Sequence, residues 1–269
     1  MTDPTTLTPQ EELSAFLLLS QSRHGWDPET WQTTDWGTSP QPPLLALDTE
    51  TTGGDTAHDR IVTVALVAVE GPGPNQGGWV CQWLVDPGVP IPAAAQTIHG
   101  ITDTMAAKHG HPPVDVLGEI IDLLLSPATA ELPLVIFNAP FDLGILQAEE
   151  SRHLGSTHLR TMSRPVIDPM VLDRHLDRYR RGKRTLSAVA DVHQIDRQAE
   201  DHNACADALT AAKIAWSQLQ RNELQQSAAQ LHEKQTGWAR QQRESFADYL
   251  DSQGRHDEAR DVLARSWPV

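Results

Sequence analysis

Cysteine, aromatic side chains, positive charge and long apolar runs are all scarce in this chain. Its two cysteines, Cys81 and Cys205, cannot build a disulfide framework, so stability has to come from a packed core. No apolar run approaches the roughly 18 residues that span a bilayer, so no membrane partner is expected. The opening Met1-Thr2-Asp3-Pro4 lacks the basic, then apolar, pattern of a secretion signal. The expectation is a cytoplasmic protein. Lys and Arg number 21 against 36 Asp and Glu, for a net charge of −15, which argues against a general polyanion binder. The positive charge is also uneven. Arg174, Arg178, Arg180, Arg181, Lys183 and Arg184 lie close together with one acid among them, Asp177. Such a run is a solvated turn or, beside a metal-dependent site, a surface that holds phosphates.

What is present suits one domain with extensions: 269 residues, 39% of them hydrophobic. Residues 1–42 are rich in Thr, Pro, Gln and Trp. They suggest a short amphipathic helix from Pro9 to about Ser20, then Trp26, Trp31 and Trp36 covering apolar surface. Gln10, Leu13 and Phe16 loosely resemble a sliding-clamp-binding peptide with imperfect spacing. From Pro43 the pattern becomes strand-like. Pro43 to Glu50, Ile61 to Glu70, which is rich in Val and Ile, and Gly77 to Val85 are short and turn-bounded, as in an antiparallel meander. Helical signals follow, with Thr102 as a cap and an apolar stripe through Pro113 to Leu125. Leu132 to Phe137 is a fourth strand, Phe141 to about His153 a helix, and Val166 to Asp168 a brief fifth strand. This order makes an α/β chain with a mixed sheet. Residues 218–269 read as a polar helical hairpin, with Trp238, Phe246, Tyr249 and Leu250 on one stripe and Ala259, Val262 and Leu263 on another.

Three pieces carry the chemistry. Asp48 and Glu50 end the first strand and, being two residues apart, project from one face of it. Two carboxylates that close need a cation or a shared proton. Asp142 sits where the fourth strand gives way to a helix, a position that also suits an acid paired with the helix dipole. Asp201-His202-Asn203 precedes a helix from Ala204 to Trp216. Asn203 is its cap, Asp207 lies in the second turn, and alanines around Asp207 allow close approach to another element. A buried Asp there needs a partner, and a metal is one.

Taken jointly, Asp48-Thr49-Glu50, Asn138-Ala139-Pro140-Phe141-Asp142 and His202 followed by Asp207 resemble the three motifs of the DEDDh 3′-to-5′ exonucleases. That family contains the proofreading epsilon subunit of bacterial DNA polymerase. Thr51-Thr52-Gly53 and Ile98-His99-Gly100-Ile101-Thr102 match its intermediate landmarks. The resemblance covers about residues 43–217, the expected exonuclease domain. Similarity to actinobacterial chains of this type extends through Leu172-Asp173-Arg174-His175 and the tail Trp267-Pro268-Val269. Pro140 departs from the more variable residue usual at its position.

The resemblance implies a ribonuclease-H-like fold, a five-stranded mixed sheet flanked by helices, with the site at the end of the first strand. It implies that Asp48, Glu50, Asp142 and Asp207 hold two divalent ions, Mg²⁺ or Mn²⁺, as oxygen-only donors suit. Two such ions can hold the attacking water and the leaving oxygen of an in-line displacement. His202 is the implied base, since a histidine is mostly neutral at pH 7. The two tyrosines, Tyr179 and Tyr249, do not fit the motif of the sister group that uses Tyr. Thr51 and Thr52 are implied beside the terminal nucleotide, with Ile98, His99 and Phe141 forming its wedge and stacking surface. Arg180, Arg181, Lys183 and Arg184 then become candidates for the nucleic-acid backbone. Expected partners are single-stranded 3′ ends, DNA ahead of RNA. An exoribonuclease trimming RNA ends and a non-catalytic nucleic-acid scaffold remain alternatives. No motif declares a polymerase or clamp partner.

Overall fold

The structure, a computed structural model, describes residues 43–69, 78–195 and 203–269. The helix and tryptophans expected before residue 43, and His202, lie outside the described residues. The meander is where the sequence places it: β1 (Leu44–Thr51), β2 (Ile61–Val69) and β3 (Gly78–Leu84) pair antiparallel in succession. Next come α1 (Ala93–His99), α2 (Asp103–His109), α3 (Pro113–Leu125) and the short α4 (Pro127–Ala130). Thr102 caps α2 by accepting from the Met105 amide. After them β4 (Leu134–Val135) runs parallel to β1, α5 spans Ala139–His153, α6 spans His158–Thr161, and β5 (Val166–Ile167) runs parallel to β4. The five-stranded mixed sheet has the order β3-β2-β1-β4-β5. β4 is shorter than its apolar run because Asn138 turns left-handed, with φ 68°, and peels the chain away from the sheet.

The chain continues with α7 (Pro169–Leu176), α8 (Leu186–Val192), α9 (Ala204–Leu219), α10 (Ala228–Ser252) and α11 (His256–Ala264). Helices cover both faces of the sheet, which is why all nine residues of β2 are buried. Strand parity decides which helix each residue meets. Leu45 and Leu47 pack with Val116, Ile120, Leu143 and Leu146 of α3 and α5. Leu44 and Ala46 pack with Ala208, Ala211, Ala212, Ala215 and Trp216 of α9. Each fully buried leucine contributes about 1.5–3 kcal/mol, and the alanines let α9 lie close against β1.

The C-terminal helices are joined to this body by more than apolar contact. At the open edge of β5, His232 Nδ1 accepts from the Val166 amide at 3.1 Å. Gln235, wholly buried on α10, donates to Val166 O at 2.9 Å and accepts from Asp168 N at 2.8 Å. Two side chains thus satisfy backbone groups that a sixth strand would otherwise take. α10 and α11 also pack on each other, the helical hairpin expected for this segment. Among the described residues, no helix is long and apolar enough to cross a membrane.

Candidate active site

Asp48 and Glu50 occupy the same parity as Leu44 and Ala46, so they point to the face that carries α9. A register shift between Glu50 and Thr51 ends the regular pairing there. On the helix side, Asn203 caps α9 by accepting from the amides of Cys205 (3.0 Å) and Ala206 (3.4 Å). That fixes the first turns of a helix whose small residues press on β1 and brings Asp207 to the strand. One oxygen each of Asp48, Glu50 and Asp207 lies within 4.8 Å of the other two, and all three side chains are half-buried.

Asp142 comes from the other side of the sheet. Thr49, the odd-parity residue between Asp48 and Glu50, donates its hydroxyl to Asp142 Oδ1 at 2.7 Å. Both groups are buried. Withdrawal from water pushes the carboxyls upward, and mutual repulsion adds to it. Asp48 is raised well above the usual range by burial, then by Asp142, Glu50 and Asp207. Glu50 is raised to about 8 by burial, then by Asp207 and Asp142. Asp142 is raised to about 7 by burial, although the hydroxyl and amide of Thr49 oppose this. Four like charges in one desolvated place are what a divalent cation relieves. All the donors are hard carboxylate oxygens, so the residues fit such an ion.

The turn after β1 is built as tightly as the cluster. Thr52 Oγ1 donates to Asp59 Oδ1 at 2.9 Å and accepts from the Arg60 amide at 2.9 Å. A Cβ on Gly53 would sit 2.5 Å from that same Asp59 carboxylate and would have to displace it from Thr52. The Thr51 hydroxyl donates to Gly53 O at 2.7 Å. Both threonine hydroxyls therefore hold the turn. Ile98, at the end of α1, is 53% exposed. His99 Nδ1 accepts from the Ile101 amide at 3.1 Å, and Phe141, half-buried, lies in the first turn of α5.

Among the basic residues singled out, Arg180 and Arg184 are committed elsewhere. Arg180 pairs with Asp173 Oδ2 at 2.8 Å, and Arg184 binds the same buried carboxylate and the carbonyl oxygens of Asp173 and Asp177. Arg181 and Lys183 are exposed. Arg180 and Arg184 thus fold the basic turn back onto Asp173.

One positioning residue escaped the sequence reading. Asp168, 1% exposed, follows β5 and accepts five hydrogen bonds. Oδ1 takes the amides of Asn138 (3.0 Å), Met170 (2.9 Å) and Val171 (3.4 Å). Oδ2 takes the Ala139 amide (3.0 Å) and the Trp267 indole (3.1 Å). The same carboxylate thus caps α7 and holds the left-handed turn from which α5 and Asp142 start. The Asp168-Pro169 pair was its only signal, an N-cap followed by a first-turn proline.

Comparison with known proteins agrees with this geometry. Residues 45–215 match the family model of the RNase_T exonucleases. A DNA polymerase III subunit epsilon-like protein of Rhodobacter capsulatus is 37% identical over 130 residues, which are 48% of this chain and 17% of that protein. A PolC-type DNA polymerase III of Streptococcus thermophilus is 33% identical over 134 residues, 49% of this chain and 8% of that protein. An exonuclease I structure superposes with a TM-score of 0.59 at 19% identity, covering 72% of this chain and 43% of that one. E. coli exonuclease I in complex with a dT13 oligonucleotide gives 0.55 at 20% identity, covering 68% and 41%. These structural likenesses establish the ribonuclease-H-like fold. The chain spans less than half the length of each of these proteins. With the family model covering residues 45–215 of 269 and its carboxylate motifs all present, the chain belongs to the RNase_T exonuclease family, in its DEDDh, DnaQ-like branch.

Proposed function

We propose that the chain is a divalent-metal-dependent 3′-to-5′ exonuclease that releases nucleoside 5′-monophosphates from single-stranded or frayed 3′ ends of DNA. The observation that carries this reading is the convergence of Asp48, Glu50 and Asp207 within 4.8 Å, with Asp142 tethered through Thr49 beside them. These four residues would hold two ions, Mg²⁺ or Mn²⁺. When bound, such ions acidify a water and neutralise charge that develops on the phosphate. The residues of the chain do the rest. His202, next to the Asn203 cap, takes the proton of the attacking water as its oxygen bonds to phosphorus. The bond from phosphorus to the preceding 3′-oxygen breaks, and that oxygen leaves as a hydroxyl after gaining a proton from solvent. Thr49 fixes Asp142. The turn at Thr51 and Thr52 borders the terminal nucleotide, and Ile98, His99 and Phe141 offer apolar and aromatic surface to its base.

A time course on 5′-labelled single-stranded DNA and RNA of matched sequence, in Mg²⁺, Mn²⁺ and EDTA, tests the reading. The expected result is a metal-dependent ladder shortening from the 3′ end, lost in Asp142→Ala and in His202→Ala. The loss should be on the order of 10³-fold, the upper range for removing one group aimed at transition-state charge. Intact substrate in both metals, with folded wild-type protein, overturns it. The faster substrate identifies the sugar.

A further inference from the structure

A cleft of about 1000 Å³ opens between α7, the basic turn that follows it and the C-terminal helices α10 and α11. Asn138 and Pro140 line one end of it, so it reaches the turn that begins the helix bearing Asp142. Its chemistry is unlike the rest of the molecule. In a chain with 36 acids against 21 Lys and Arg, this lining carries Arg174, Arg178, Arg243 and Arg265, besides the committed Arg184. Among the described residues, the only carboxylate in the lining is Asp168, buried and taken up by its five donors. None of those first four arginines pairs with a carboxylate among the described residues.

Aromatic rings alternate with these cations. Tyr179 is 85% exposed, with the Arg178 guanidinium 5.8 Å from its ring centre. Phe246 and Tyr249 are half-exposed on α10, their rings 6.3 Å apart and within 17° of parallel. The cleft has a firm frame, since His175 of α7 stacks on Trp238 of α10 at 3.6 Å. Large aromatic faces left in water beside guanidinium groups that form no ion pair among the described residues fit one kind of ligand. It carries regularly spaced anions and flat apolar faces that it cannot hide in itself. A single-stranded polynucleotide does, whereas a duplex keeps its bases stacked inside. Guanidinium binds phosphate through paired hydrogen bonds, and the rings accept any base.

We infer that this cleft is the channel for the strand upstream of the 3′ end, and that residues 228–265 form one of its walls. This rests on the exonuclease reading and adds to it a second, non-catalytic site. The C-terminal helices become part of substrate binding, and Arg174, Arg178, Arg243 and Arg265, rather than Arg180 and Arg184, carry the phosphate contacts.

The test compares two substrates. One is a 5′-labelled dT oligonucleotide of about fifteen residues, long enough to fill a single-strand site. The other is the p-nitrophenyl ester of thymidine 5′-monophosphate, which reaches only the carboxylates. In Arg178→Ala/Arg243→Ala/Arg265→Ala the oligonucleotide KM should rise roughly tenfold or more, and the salt slope of its binding should fall by about 2, near 0.7 for each lost phosphate contact. Ester hydrolysis should stay within about twofold, because no group at the carboxylates is touched. Phe246→Ser/Tyr249→Ser should raise the same KM several-fold without moving the salt slope, since stacking releases no counterion. Unchanged oligonucleotide KM and salt slope in the arginine variant, with both substrates still cleaved, would overturn the inference and leave the exonuclease reading standing. Oligonucleotide binding that the arginine variant loses, in a wild type that cleaves neither substrate, would do the reverse.

Discussion

Two groups of carboxylate flank the same short turn, one wholly buried and one largely half-buried, and they solve the cost of leaving water in opposite ways. Asp168 stands alone with five N–H donors, and burial raises it only against the pull of those hydrogen bonds. At the other end of the turn, Asp48, Glu50 and Asp207 converge, with Asp142 beside them held by the hydroxyl and amide of Thr49. A carboxylate surrounded by donors is a structural part, complete in itself. A cluster of mutually repelling acids, in which burial and neighbouring carboxylates push Asp48 and Glu50 upward, is held together by the rest of the fold and fits a divalent cation. The contrast separates function from architecture more sharply than burial does, since Asp142 and Asp168 are almost equally hidden, at 3% and 1% exposed.

The same substitution at the two positions should therefore move stability in opposite directions. Asp168→Asn replaces an acceptor of five hydrogen bonds with an amide that presents hydrogens to some of those donors. Thermal unfolding in EDTA should show a loss of about 2–5 kcal/mol, as for other buried charged hydrogen-bond networks. Asp142→Asn removes one of four repelling charges and should leave the metal-free protein as stable as wild type or more so. If both variants lose stability alike, the distinction between the two carboxylate groups fails.

Varying pH sharpens it. Glu50 and Asp142 titrate near 8 and 7 in the folded protein, against about 4 in an unfolded chain. Between those values the folded state holds more protons, so their contribution makes stability fall as pH rises from about 4 to 8. In EDTA, the Tm advantage of Asp142→Asn over wild type should grow across that window, and added Mg²⁺ should raise wild-type Tm more at pH 8 than at pH 6. A pH-independent difference between the two proteins would count against the raised values.

The smallest effect belongs to a third carboxylate, Asp173, which is satisfied by Arg180 and Arg184. Arg180→Ala leaves one guanidinium in place and should cost about 1–2 kcal/mol. It should hardly alter the salt dependence of oligonucleotide binding. A lost slope of about 0.7 would instead make Arg180 a phosphate contact after all.

Much of this was legible in the residues. Short apolar runs bounded by Gly-rich turns set β1 to β3, parity put Asp48 and Glu50 on one face, and Thr102 and Asn203 cap their helices as local hydrogen bonding predicts. The elements that resisted are those decided by distant partners. β4 and β5 fall inside the runs that predict them, but their length of two residues each was not legible, since neighbouring strands and Gln235 decide where their hydrogen bonds end. Phe246 and Tyr249 fall on an apolar stripe by spacing, yet they face the cleft, because the core beneath α10 is filled by Leu231, Ala239, Ala247 and Leu250. Nothing local told Arg180 and Arg184 from Arg174 and Arg178; the buried Asp173 divides them.

The five donors around Asp168 also impose an order on synthesis. The Asn138 and Ala139 amides precede it on the ribosome, and Met170 and Val171 follow at once. The indole that completes the carboxylate belongs to residue 267, and the glutamine that receives its own amide to residue 235. The nascent sheet and the acids Asp48, Glu50, Asp142 and Asp207 are therefore made before the clamp on that turn can close. A ribosome-held chain carries the nuclease motifs with Asp168 short of its last donor, and the turn that aims Asp142 gains its full set of restraints only when Trp267 emerges.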